Sequence, residues 1–340
     1  MERKLIKEFF IRLGLIRLLF IMTPSVAFSW NQATHAYISD RLGARVGHDN
    51  LSEMWGSVAP DLFIFIFDPT VCPGWILDQT HGTYSDSFMK VWDAAGTKSE
   101  EALAYGFLTH NQAWGADFTA HISSLTFGQD DGYIIAKAKL LLEKHYPANP
   151  DQKFGDIFAS LGMLPDQALL VAHLMTEYAV DIMLSNNVDP LLGRKLELAA
   201  RNETKSFRPL FINAFAADYA AHCFDGDYST AAQVLTAAEK QHRKNMIFLG
   251  QAISKSKSVA VRLLAEQTVS VLPDFLGFQL PVPEAEAIDI VKSGIFSAID
   301  ICHDDYMAEI NATIESVDKN LKDHGITYLD VKIPKTVTMR

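Results

Sequence analysis

His110, Asp117 and His121 fall on one helical stripe with Trp114 between them, and His173, Glu177 and Asp181 fall on a second. Steps of four, seven and eleven residues return a helix to nearly the same face. Both stripes lie in apolar surroundings: Ala102–Leu108 leads into the first, while Leu169–Ala172 and Leu174–Met175 flank the second. Imidazoles and carboxylates turned into a helical core are costly unless paired, hydrogen-bonded or bound to metal. A single inward histidine is ordinarily a satisfied core residue. Two stripes, each setting His beside a carboxylate at ligand spacing, point instead to a metal centre, and these donor types suit zinc. Trp114 reads as core packing, and Asp181 as a residue behind the ligands or at the surface. Cys72, Cys223 and Cys302 contain no CxxC spacing, so a thiolate zinc site is not expected. No Gly-x-Ser-x-Gly motif or Gly-rich phosphate loop competes with the metal reading.

More donors precede the two stripes. In order they are W-N-Q-A-T-H-A-Y-I with Trp30 and His35, G-S-V-A-P-D with Asp61, and T-H-G with His81. Then come G-F-L-T-H with His110, A-D-F-T-A-H with Asp117 and His121, and H-L-M-T-E with His173 and Glu177. In these motifs and their order the chain resembles the zinc-dependent phospholipase C family, whose fold is shared with the S1/P1-type nucleases. The likeness covers roughly residues 30–185. It implies an all-α, multi-helix single domain holding three zinc ions. One ion would take Asp61, His81, His110 and Asp117. A second would take His121, His173 and Glu177. The third would take the amino nitrogen and carbonyl oxygen of Trp30 with His35, and share Asp117. One departure stands out. The family separates the first histidine of the stripe from the bridging aspartate by three residues, whereas six separate His110 from Asp117. On an unbroken helix this lengthens the axial gap by about 4.5 Å, and Gly115 is where a bulge or kink would shorten it.

Three zincs suit phosphate-ester hydrolysis: metals activate water and steady charge on the leaving oxygen. The resemblance gives Asp61 the further role of general base. The leading expectation is phospholipase C-type cleavage of a phospholipid, because the lipase branch carries Glu at the position of Glu177. The alternatives are an S1/P1-type single-strand nuclease or 3′-nucleotidase, and a zinc-binding protein without turnover. The segment Leu62–Pro69 (LFIFIFDP) beside Asp61 is apolar and aromatic. It reads either as a buried, strand-like piece or as a surface for acyl chains and transient membrane contact.

The elements that must position these donors are helices. Apolar periodicity predicts them over Asn31–Arg45, from a Ser99 cap through Ser123, and over Tyr133–His145 and Pro165–Ser185. More are predicted over Pro190–Arg201, Phe211–His222, Ser229–Ala252 and Val259–Val271. Residues 283–324 read as one long helix or two, stopped at Gly325. Loops are expected around Gly47, Pro60–Pro73 and Gly82, and residues 326–340 form a tail in which Ile326–Ile333 alternates weakly like a strand. With no repeat or linker, residues 30–325 are expected to form one domain.

Residues 1–29 have the basic, apolar and small-residue order of a secretory signal, with Ala27 and Ser29 preceding a cut before Trp30. A membrane anchor would need roughly 20 uninterrupted apolar residues, and Arg17 interrupts this run. The mature protein is therefore expected to be secreted or periplasmic, with the Trp30 amine freed by the cut. The whole chain carries a net charge of −11, and residues 1–29 hold five basic and two acidic residues, so the mature charge is −14. Such a protein is not expected to track nucleic acid through a broad basic surface. An exported chain can pair two of its three cysteines, and the sequence does not choose which.

Overall fold

The computed structural model describes residues 30–43, 48–66, 68–82, 85–128, 131–202 and 205–326. The expected signal segment, its cut and the tail beyond residue 326 lie outside the described residues. In chain order the α-helices are α1 (Gln32–Leu42), α2 (His48–Val58), α3 (Pro73–His81), α4 (Lys90–Ala94), α5 (Lys98–Leu108), α6 (Tyr133–Glu143) and α7 (Phe154–Ser160). They continue as α8 (Pro165–Met183), α9 (Leu192–Asn202), α10 (Phe207–Cys223), α11 (Tyr228–Ile253), α12 (Lys257–Leu276), α13 (Glu284–Cys302) and α14 (Tyr306–Asp323). A two-stranded antiparallel hairpin, β1 (His145–Tyr146) and β2 (Asn149–Lys153), is the one sheet among the described residues. The all-α class expected from the periodicity is what the structure has.

Several boundaries follow from local chemistry. Thr97, not Ser99, caps α5: its hydroxyl accepts from the Glu100 amide, and Glu100 reaches back to the Thr97 hydroxyl and the Gly96 amide. The long C-terminal helix divides at His303–Asp305 into α13 and α14, and α14 stops before Gly325 at φ 73°. The segment Pro60–Pro73, expected as loop, holds two 3₁₀ turns, Ala59–Phe65 and Pro69–Val71. The expected helix from residue 100 to 123 is broken: α5 ends at Leu108, and a five-residue π-turn, Phe118–Ile122, follows an irregular excursion.

One contiguous apolar cluster runs from Trp30 to Ile326 and joins both halves of the chain. Helices α2 and α5 cross at its centre. Their approach requires glycine on both sides: a Cβ on Gly56 would meet the Leu103 carbonyl oxygen at 2.0 Å, and one on Gly106 would meet that of Glu53 at 1.9 Å. This crossing brings the end of α2, and the 3₁₀ turn bearing Asp61, against the end of α5. The stretch Pro165–Val188, spanning α8 and a terminal π-turn, is long and apolar enough to cross a membrane by length and composition alone. Here it is a core helix, 78% buried within the protein over its most apolar window, and its buried face carries His173, Glu177 and Asp181.

Candidate metal centre

Five short pieces of chain deliver the donors: α1 brings His35, the 3₁₀ turn after α2 brings Asp61, and the last residue of α3 is His81. The stretch after α5 brings His110, Asp117 and His121, and α8 brings His173 and Glu177. The step from His110 to Asp117 is the least regular. Asn111 folds over it: its side-chain carbonyl accepts from the amides of Ala113, Trp114 and Gly115 at 2.9–3.1 Å, and its amide donates to the Leu108 carbonyl at 2.8 Å. The chain then returns, so the Ala116 amide donates to the Thr109 carbonyl and the Asp117 amide to the His110 carbonyl, both at 2.8 Å. An α-helix makes these bonds between residues four apart; here they join residues seven apart. The excursion thus takes up three residues, and Asp117 stands where a residue four beyond His110 would stand. A Cβ on Gly115 would lie 2.6 Å from the Asn111 amide nitrogen and the His110 carbonyl carbon, so the turn demands glycine. The extra axial length expected of an unbroken helix does not arise.

The donor atoms gather in three groups, each within 4.8 Å: Asp61, His81 and His110; His35, His110 and Asp117; and His121, His173 and Glu177. Asp117 stands between the first two. Its Oδ1 is 3.2 Å from His35 Nε2, and its Oδ2 is 3.4 Å from His110 Nε2 and 3.7 Å from His81 Nε2. Asp61 Oδ1 lies 3.3 Å from His81 Nε2 and 3.7 Å from His110 Nε2, while its Oδ2 accepts from the Gln32 amide at 2.6 Å. In the third group His121 and His173 meet through Nε2 atoms 3.2 Å apart, and His173 Nε2 is 2.9 Å from Glu177 Oε1. Eight of the nine expected ligands are thereby assembled by their side chains; the ninth, the Trp30 main chain, depends on the cut.

These groups fit a cation. Tetrahedral ligands 2.0–2.1 Å from zinc stand about 3.3 Å from one another, which is the spacing of the Nε2 atoms here. His110 Nδ1 faces the Ser57 carbonyl at 2.8 Å, and His81 Nδ1 faces the Leu77 carbonyl at 3.2 Å and the Thr80 hydroxyl at 2.9 Å. Carbonyls only accept, so each neutral ring carries its proton on Nδ1 and turns a bare Nε2 inward, as second-layer partners do for metal-binding histidines. Those two bare nitrogens are 3.2 Å apart, an arrangement that only a shared positive charge makes favourable. The charges agree. Burial, with neighbouring imidazoles after it, holds His35, His110 and His121 well below the usual histidine range. Burial first, then the carboxylates Asp61, Asp181 and Asp117, pushes Glu177 well above the usual carboxylate range. Burial opposes ionisation of Asp61 too, but His110, His81 and the Gln32 amide together hold it below its ordinary value.

Supporting residues come both from positions between the donors within the motifs and from α14, which carries no motif. Asp181 is neither ligand nor surface group. It accepts from the Thr34 amide (2.8 Å), the Thr34 hydroxyl (2.7 Å) and the Ala33 amide (3.2 Å), capping α1 from across the core. Burial pushes it up to about 7 against those hydrogen bonds. The Trp30 indole donates to the Thr119 hydroxyl at 3.1 Å and stacks on Tyr133 at 5.4 Å. Thr119 in turn meets Thr313 of α14 at 2.8 Å. Glu309 of α14 accepts from Ser124, Leu125 and Thr126, fixing the strand of chain just after His121. Trp114 packs on Phe88 and His324, away from the donors. In the apolar segment beside Asp61, Leu62, Phe63 and Ile66 are buried in the core, while Ile64 and Phe65 are partly buried against it. No protein family, characterised protein or solved structure was found to match this chain.

Proposed function

We propose that the protein is a zinc-dependent phosphodiesterase of the phospholipase C type, with Trp30, His35, Asp61, His81, His110, Asp117, His121, His173 and Glu177 holding three zincs. The observation that carries the reading is Asp117: one of its oxygens faces His35 and the other faces His110 and His81, as a carboxylate bridging two ions would. Bound zinc would supply Lewis acidity, making water acidic and drawing charge from a phosphate ester. The chain's own residues do the rest. Gln32 fixes the Asp61 carboxylate through Oδ2 and leaves Oδ1 facing the imidazoles. Held ionised in this way, Asp61 would help hold an ion and is the group placed to take a proton from attacking water. Ser57 and Leu77 keep His110 and His81 in the tautomer that binds metal. Glu177 at the third group favours the lipase branch.

The nuclease or 3′-nucleotidase reading gains from one observation. Leu62, Phe63 and Ile66 are buried, which leaves Ile64 and Phe65, both half-buried, as the described apolar residues of that segment that could meet an acyl chain. A two-substrate assay separates the readings. Zinc-loaded protein should release diacylglycerol from short-chain phosphatidylcholine far faster than it cuts single-stranded DNA or RNA, and Asp61→Asn should lower turnover at least about 100-fold. Cleavage of nucleic acid without diacylglycerol release moves the assignment to the nuclease branch. Turnover of neither class by fully metallated protein leaves a zinc-binding protein.

A further inference from the structure

The structure separates the three cysteines that the sequence leaves equivalent. Cys302 is fully buried in α13 beside Tyr133 and Lys137. Cys72 and Cys223 are each partly exposed, and they lie near enough for the Cys72 thiol to shift the titration of Cys223. The flanking residues hold the two segments face to face without help from sulfur. The Tyr219 hydroxyl donates to the Val71 carbonyl. Trp75 stacks on Tyr219 with ring centres 5.3 Å apart and planes 7° apart, and on His222 at 5.6 Å. Every one of these contacts falls within four residues of one cysteine or the other. Cys72 itself sits in the left-handed region at φ 50°, ψ 55°, between the Pro69–Val71 turn and α3, a conformation a non-glycine residue keeps only where its surroundings impose it.

We propose that Cys72 and Cys223 form a disulfide on exposure to a small-molecule disulfide oxidant, fastening the start of α3 to the end of α10 and leaving Cys302 as a free thiol. One cysteine, as thiolate, attacks the oxidant's sulfur and expels one small thiolate, giving a mixed disulfide. The other then attacks the protein-bound sulfur and expels the second. The protein loses two protons and two electrons, and the oxidant ends as two thiols. Burial, then the Cys72 thiol, pushes the Cys223 thiol up to about 12, the reverse of a catalytic cysteine; the bond is a staple, not an exchange centre. It closes a loop of about 150 residues, the long-loop case in which cross-linking constrains the unfolded chain most. Because α3 ends at His81, the staple anchors the far end of a helix that carries a metal donor. None of this depends on the proposed activity.

The test treats purified full-length protein with oxidised glutathione or with dithiothreitol, then alkylates it under denaturing conditions and digests it without reduction. The oxidised protein should yield a cross-linked peptide pair containing Cys72 and Cys223, with Cys302 as the one alkylated thiol. Its Tm should exceed that of the reduced protein by several degrees. Cys302→Ser should keep both the cross-link and the Tm gain, and Cys72→Ser should lose both. A cross-link involving Cys302, three alkylatable thiols after oxidation, glutathione adducts without the Cys72–Cys223 pair, or a cross-link with no Tm gain would each overturn the proposal.

Discussion

At the scale of single residues, the site is a problem in placing charge where water is absent. Two fully buried histidines, His35 and His110, and the partly buried His121 are held below their usual range, and Glu177 above its own. Each departure has the sign expected when a site built for cations is considered through its protein groups alone. Elemental analysis of purified protein should find about three zincs per chain. His121→Ala and His173→Ala should each lower the count by one and lose the same ion, because the two rings meet at 3.2 Å beside Glu177 and belong to one group. Adding the second substitution to the first should then lower the count no further. A double variant that has lost two ions would separate the two residues. The donor residues that the structure gathers into three groups were legible in the sequence because their types, order and spacing form motifs. Gln32, Ser57 and Thr119 were not. Each acts through a hydrogen bond to a partner 29 to 89 positions away, and neither a lone Gln or Thr nor a backbone carbonyl has a periodicity that announces such a bond.

At the scale of elements, what matters is how an irregular stretch restores a regular relation. Periodicity alone carries α5 straight through His110, Asp117 and His121. The structure instead breaks the helix at Leu108 and rejoins it three residues out of step. Asn111 and Gly115 make this possible, and neither belongs to the apolar stripe that defines the face. Gly115→Ala should therefore cost about 1–3 kcal/mol in chemical denaturation and weaken zinc retention at His110 and Asp117. Gly96→Ala is the control: its Cβ would meet only the end of the Glu100 side chain at 3.8 Å, and it should leave stability and zinc content close to wild type. Equal losses in both variants, or retained zinc in Gly115→Ala, would show that the excursion does not set the ligand spacing. The other unforeseen elements have similar causes. Pro147 and Pro150 interrupt the alternation that would announce strands, yet they lie in the turn and second strand of a short hairpin, where proline is tolerated away from a sheet interior. The helices α2 and α3 lie among glycine and proline signals that masked their periodicity.

At the scale of the whole molecule, the C-terminal helices are structural parts of the centre and not only a covering. Residues 190–340 carry no motif, yet Glu309 and Thr313 of α14 hold the chain around His121 and Trp30, and His242 of α11 lies behind Asp61. His242 is buried between Trp55 and Phe65, with ring centres 5.5 and 5.6 Å away. Burial lowers it from 6.5 to about 4, with the Asp61 charge and the Val58 backbone opposing that shift. The sign of its effect on stability is fixed by this depression. Above pH 6.5 the ring is neutral both folded and unfolded. As pH falls from 6.5 towards 4, the unfolded chain takes up a proton that the folded protein refuses, so stability is lost. Over that window the loss from this ring amounts to about 3 kcal/mol. His35, His110 and His121 are depressed too and add to the same acid limb. His242→Leu removes one titrating ring outside the metal groups while keeping an apolar filling. Urea denaturation of the variant across pH 4 to 7, with zinc chelated throughout, should give an acid limb shallower than wild type by about one proton. The variant's stability at pH 7 can be lower without affecting this result, because the readout is the slope. An unchanged slope would mean that the ring is protonated in the folded protein, and that the core behind Asp61 admits a charge its burial is expected to exclude.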